Sequence, residues 1–212
     1  MAAESATGPE ADLVFGERRD WGLGWTSATP ARMQRASYAL VDDGRVWLVD
    51  PVDGEGLAGR LGELGEIVGV IRLLDRHRRD TEALAARHGV PLHTNPLTGI
   101  PGSPFIFLGL TQRRFWKEVA LWWPHREVLV VPEAVGTNPA MCAPGTRLGV
   151  HPALRLTPPR TLLHLDPLVL LPGHGTPLEG ETVAGELHDA VGHSRREIPG
   201  WLASTVRGVA RR

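Results

Sequence analysis

Cysteine is nearly absent from this chain. Cys142 is the only one in 212 residues, which excludes an intrachain disulfide, a zinc ribbon and a Cys-x-x-Cys redox site, and makes a reducing cytoplasm the expected compartment. An excess of one charge is missing too. The 23 Lys and Arg against 24 Asp and Glu leave a formal charge of -1, so no global field draws the chain to nucleic acid or to an acidic membrane surface. No apolar run approaches the roughly 20 residues of a membrane span. The opening "MAAESATGPEADLVFGERRD" carries acids where a secretory signal needs a basic start and an apolar core. No serine stands in a Gly-x-Ser-x-Gly elbow, which weighs against covalent catalysis by serine.

What is present has globular composition, 42% hydrophobic and 22% charged, at a length suited to one domain. We read 1–212 as that domain, with an N-terminal extension and first strand over 1–30 and C-terminal helices over 181–212. Strand and helix signals alternate between them. "ASYALVDDGRVWLVDP" predicts a hairpin, Tyr38 to Val41 and Val46 to Val49, turning at Asp42-Asp43-Gly44. Leu57, Leu61 and Leu64 lie near helical spacing, and "IVGVIRLL" is a strand of the buried type. A helix is expected from Thr81 to His88, ended by Gly89, and then a brief strand from Val90 to His93. "FWKEVALWW" and "EVLVV" flank Pro124-His125-Arg126 as a second hairpin, and the Gly- and Pro-rich stretch 132–159 predicts mostly loop. "PLVLLPGHGTP" is a buried strand entering a glycine-flanked histidine, and helices follow from Glu181 with a break near Pro199.

The order of these pieces resembles the metallo-β-lactamase superfamily over about residues 36–195. "SYALVDDGRVWLVDP", the polar loop "LLDRHRRD" with its helix and "HGVPLH", then "EVLVVPEAV" and "VLLPGHGTPLEG" carry the likeness. It implies an α/β (α+β) fold, a four-layer αββα sandwich with its site along one edge of the two sheets. It also implies ligand positions. The family's His-x-His-x-Asp-His signature falls on Asp75, His77, Arg79 and Asp80, its third histidine on Leu110, its bridging aspartate on Glu133 and its last histidine on His174. Asp50 would support the site from behind. The implied catalytic residues are therefore His77, His174, Asp80 and Glu133, with Asp75 joining them as candidate metal ligands.

In that family two zinc ions, or iron or manganese, lower the pKa of a bound water to make the nucleophile. Leu110 has no ligand atom, and Arg79 brings a permanent positive charge into the second-metal pocket. The expectation is that no two-metal centre forms, and that Arg79 fills the site as an internal cation paired with Asp75, Asp80 or Glu133. Plainer roles stand beside these. Asp80 before Thr81 suits a helix N-cap, the arginine-rich loop suits a solvated turn, and Glu133 suits a strand end. His151 and His164 carry no motif and are taken as structural. Trp122 and Trp123 point to opposite faces of a strand, one to the core and the other toward a cleft.

Three functions stay open. One is an inactive or altered hydrolase-like protein that holds a small-molecule ligand in the former cleft, with no cofactor. Another is a hydrolase of a small ester or thioester with one zinc, iron or manganese. The last is a metal-free hydrolase with His77 or His174 as general base beside a carboxylate. Neither nucleic acid nor a membrane is an expected partner, and a homodimer is left open.

Overall fold

The computed structural model describes residues 12–27 and 34–202. Part of the expected N-terminal extension and the end of the expected C-terminal helices lie outside the described residues. Strands β1 (Leu13–Phe15), β2 (Gly22–Ser27), β3 (Ala36–Asp42), β4 (Arg45–Val49), β5 (Glu66–Arg72) and β6 (Leu92–Thr94) lie in that order in one sheet. β1 to β4 are antiparallel neighbours, while β4, β5 and β6 run parallel. Further along come β7 (Ile106–Arg113), β8 (Trp116–Trp123), β9 (Val128–Val131), β10 (Val135–Gly136), β11 (Gly149–Val150), β12 (Val169–Pro172) and β13 (Leu178–Glu179). Five of them make the second sheet in the order β13-β12-β9-β8-β7, and β10 pairs with β11 in a separate ribbon. The helices are α1 (Leu57–Gly62), α2 (Thr81–His88) and α3 (Val183–His193).

Period-two alternation explains the layering, because successive side chains of a strand point to opposite faces. From β3, Tyr38 and Leu40 meet Trp47 and Val49 of β4 in the central core, while Ala39, Val46 and Leu48 face the other way. β8 and β9 do the same: Val119, Leu121, Val128 and Val130 enter the central core, and Trp116, Ala120, Leu129 and Val131 face outward. Two inner faces thus close on each other. Leu57, Leu61, Leu84 and Ala85 of α1 and α2 cover the first sheet's outer face, and Val183, Leu187, Ala190 and Val191 of α3 cover the second's. The result is the expected four-layer αββα sandwich, with the β3–β4 and β8–β9 hairpins in different halves.

Helix α2 begins and ends where expected. Gly89 closes it at φ 65, with its N–H on the carbonyls of Ala85 and Ala86, a left-handed stop that glycine takes at little cost. The capping bond expected of Asp80 is not made. Asp80 is the N-cap residue, yet its side chain makes no capping bond; Oδ2 instead accepts the N–H of Asp53 at 2.9 Å. The brief strand after the helix is β6, which begins at Leu92 rather than at Val90. β7 was not foreseen. It is an edge strand that ends on the exposed Gln112 and Arg113, so that end has no apolar alternation to betray it. The stretch 132–159 is mostly loop but holds β10, β11 and a single 3-10 turn at Pro152–Leu154.

Burial sets a first expectation for stability. Leu121 is fully buried between the sheets, so Leu121→Ala should cost about 3 kcal/mol in chemical denaturation. Phe115, 76% exposed, should be replaceable by alanine within about 0.5 kcal/mol.

Candidate functional site

Four chain segments end at one edge of the sandwich: the exit of β4, the turn after β5, the turn after β9 and the turn after β12. They carry Asp50, then His77 and Arg79, then Glu133, then His174. Asp50 is the inner anchor. It is buried, its backbone stands at φ 43, and its carboxylate is used on both oxygens. Oδ1 accepts the Leu73 N–H and Oδ2 lies 3.0 Å from Nδ1 of His77. A neutral His77 donating from Nδ1 keeps Nε2 as its unprotonated nitrogen. Burial first, and then the charge of Arg79, push His77 down to about 4 against the opposing pull of Asp50. The His174 ring stands edge-on to it, with centroids 5.4 Å apart.

Arg79 is bound differently from expectation. It pairs with none of Asp75, Asp80 or Glu133. Nη1 donates to the carbonyls of Ala36 and, at 2.7 Å, Asp50, with a longer contact to Ser37 Oγ, and Nη2 donates to the Gly173 carbonyl at 3.2 Å. The carbonyls belong to the start of β3 and the ends of β4 and β12, and their convergence at the sheet edge makes a cradle for a cation. Nε of Arg79 is buried with no hydrogen-bond partner.

Of the acids expected around it, Glu133 and Asp80 are engaged elsewhere. Glu133 takes Nη2 of Arg76 at 2.6 Å, and that guanidinium lies over the Trp116 ring at 4.3 Å. Asp80 faces the Asp53 backbone, and Asp75 Oδ1 is buried with no hydrogen-bond partner. Burial raises the Glu133 pKa, while Arg76 opposes it. A cleft of about 230 Å³ is lined by Arg35, Arg76, His77, Arg79, Glu133 and His174. His77, Glu133 and His174 are therefore brought together, whereas Asp75, Asp80 and Leu110 do not line the cleft. Leu110 is the extra residue of a bulge in β7 and packs on the outer core.

Some of the surroundings were not anticipated. His151 is more than filler: its Nε2 lies 3.7 Å from Glu133 and its ring stands against Trp116, where burial foremost pushes it down to about 4. His164 is exposed at the end of a 3-10 segment. Trp123 is the core member of its pair, and Trp122 is partly buried against the outer core rather than in the cleft. Glu118 of β8 is fully buried. Its Oε1 accepts the N–H groups of Glu133 and Ala134 at 2.8 and 2.7 Å, and Oε2 accepts Trp116 Nε1 at 2.7 Å. Burial outweighs these donors and pushes it up to about 7. Alternation carried its signal, since Glu118 falls on the face of Trp116 and Ala120. Arg35 and Arg76 carried none.

Among the described residues, no group of three or more His, Cys, Asp or Glu is placed to hold a metal ion, and no helix is long and apolar enough to cross a membrane. The two facing sheets, their helical covers and this edge cleft define the metallo-β-lactamase fold. The crystal structure of DIM-1 metallo-β-lactamase superposes with TM-score 0.55 at 12% identity, covering 90% of this chain and 98% of that one. The same enzyme exposed to ceftazidime gives TM-score 0.55 at 12% identity, with coverages of 88% and 100%. TMB-1, a structure described for substrate and inhibitor binding, gives TM-score 0.51 at 12% identity, with coverages of 88% and 91%. No family model matches the chain, and no curated protein matches its sequence. The chain thus has the metallo-β-lactamase fold.

Two expectations follow from this geometry. In an NMR titration His77 should stay neutral down to a midpoint near pH 4. Because that value lies below the ordinary 6.5, the neutral ring contributes stability present above pH 6.5 and lost as pH falls through 4. Arg79→Ala should cost roughly 3 kcal/mol in urea unfolding, because it removes charged donors from the Ala36, Asp50 and Gly173 carbonyls and leaves the space of a buried side chain between the two sheets.

Proposed function

We propose that this chain is an altered, hydrolase-like protein of the metallo-β-lactamase fold, which holds a small-molecule ligand in its edge cleft and works without the two-metal centre. One observation carries the reading. The Arg79 guanidinium sits among the carbonyls of Ala36, Asp50 and Gly173, beside the histidines that would otherwise face a metal. Two zinc ions need neutral imidazoles and free carboxylates converging on them. Here a fixed cation stands next to His77, Glu133 is held by Arg76, and Asp80 is turned to a backbone N–H. That donor set does not fit a two-metal centre. The lone cysteine and the balanced charge support a cytoplasmic setting with neither nucleic acid nor membrane as partner.

A second reading is favoured by the Asp50–His77 pair. Asp50 fixes the tautomer, so Nε2 of His77 could take a proton from water in a metal-free hydrolysis. Metal analysis of the full chain, purified after growth with added zinc, iron and manganese, tests the proposal. Far less than one ion per chain is expected, and one or two bound ions with His77-dependent hydrolysis would overturn it. Ester or thioester hydrolysis that survives a chelator and vanishes in His77→Ala would select the second reading.

A further inference from the structure

The second sheet ends on β13, a strand of two residues, while the first sheet continues past β3 to β2 and the edge strand β1. Where β13 stops short, a pocket of about 420 Å³ is lined by β1, β2 and the start of β3 together with Thr176, Pro177 and Glu179. It shares no lining residue with the edge cleft, so nothing said of it rests on how that cleft is read. Its wall is aromatic. Trp21 and Tyr38 stand edge to face with ring centroids 5.9 Å apart, and both lie so near Gly24 that a Cβ there would be 3.1 Å from Tyr38 and 3.4 Å from Trp21. The bare glycine lets the rings reach the strand. Their polar atoms are used within the protein: Trp21 Nε1 donates to Glu179 at 3.2 Å and the Tyr38 hydroxyl donates to the Pro172 carbonyl at 2.7 Å. What the rings leave for an occupant is apolar surface and π faces. Among the described residues that line the pocket, only Glu17, Arg19 and Glu179 are charged. Arg19 reaches both acids, Nη2 to Glu17 at 3.2 Å and Nε to Glu179 at 3.7 Å, so one cation faces two carboxylates.

We propose that this pocket binds a small planar aromatic molecule with one positive charge, of the arylalkylamine class. Its ring lies against Trp21 and Tyr38, and its ammonium lies toward Glu17 and Glu179. The volume of about 420 Å³ falls within the usual span of small-molecule sites, about 300 to 1,000 Å³. Aromatic faces attract a cation as well as a ring, because the ring quadrupole is negative above its plane. The surplus carboxylate acts in the same direction and repels an anion of the same shape. Both acids keep contact with solvent, so charge sets the preference among occupants while ring contact supplies most of the attraction.

NMR titration of the full chain with tryptamine, indole and indole-3-acetate tests this, following the indole N–H of Trp21, assigned through Trp21→Phe. Saturable shifts of that resonance are expected, with tryptamine binding most tightly and indole-3-acetate at least about threefold more weakly, the scale of a partly exposed ion pair. Glu179→Gln keeps an acceptor for Trp21 Nε1 and removes the charge, so it should narrow the gap between tryptamine and indole-3-acetate while leaving indole affinity unchanged. Thr26→Trp on β2 puts a ring into the pocket and should weaken tryptamine about tenfold or more, whereas Gln112→Trp on the exposed edge β7 should not. If Thr26→Trp fails to fold, Glu179→Gln alone decides. No saturable shift at Trp21, indole-3-acetate binding as tightly as tryptamine, or a gap unchanged in Glu179→Gln would overturn the inference. So would tryptamine shifts confined to the His77 and His174 rings, which would put the amine in the edge cleft.

Discussion

A buried guanidinium reinforces the seam between the two halves of this sandwich at the site, beside the bond from the Ala36 N–H to the Gly173 carbonyl. Arg79 draws the carbonyls of Ala36 and Asp50 from the first sheet and Gly173 from the second toward one positive charge. The Gly173 oxygen also takes the Ala36 N–H and the Asp50 oxygen also takes Ser37 Oγ, so the guanidinium fills the remaining lone pairs of carbonyls at strand ends. Arg79 supplies the donors at φ 41, a left-handed backbone that a non-glycine residue adopts only where its surroundings hold it. The cradle shapes everything built on it. It helps hold the β4 exit against the β12 turn, near which His77 and His174 meet edge-on.

Asp50 extends that constraint inward. Its carbonyl serves Arg79 and Ser37 while its carboxylate serves His77 and Leu73, so one residue couples the cation to the histidine. Glu118 plays a similar part on the other side, gripping the backbone of Glu133 and Ala134 from beneath. Both are buried acids that hold backbone and ring donors. Neither makes a direct ion pair with an arginine, so their value lies in position rather than in the net worth of a salt bridge.

The resemblance placed His77, Glu133 and His174 correctly on one cleft, because each follows a strand whose apolar run is visible in the sequence. It misjudged what surrounds them. Asp80 had two plausible partners in sequence, the helix it starts and the site beside it, and it took neither, binding the Asp53 backbone instead. Leu110 fell in a strand that alternation did not reveal, because an exposed edge is under little pressure to be apolar. Arg35 and Arg76 stand in polar segments where an arginine is unremarkable until a partner is seen.

Local pattern determined the elements: alternating apolar residues wrote the paired strands, and Gly89 wrote the end of α2. It also determined that an arginine would stand where the resemblance expects a metal ligand. Only the tertiary structure decided what that arginine does. Its partners are backbone carbonyls, which every residue carries and no sequence distinguishes, and they meet only when β3, β4 and β12 have been brought to the same edge.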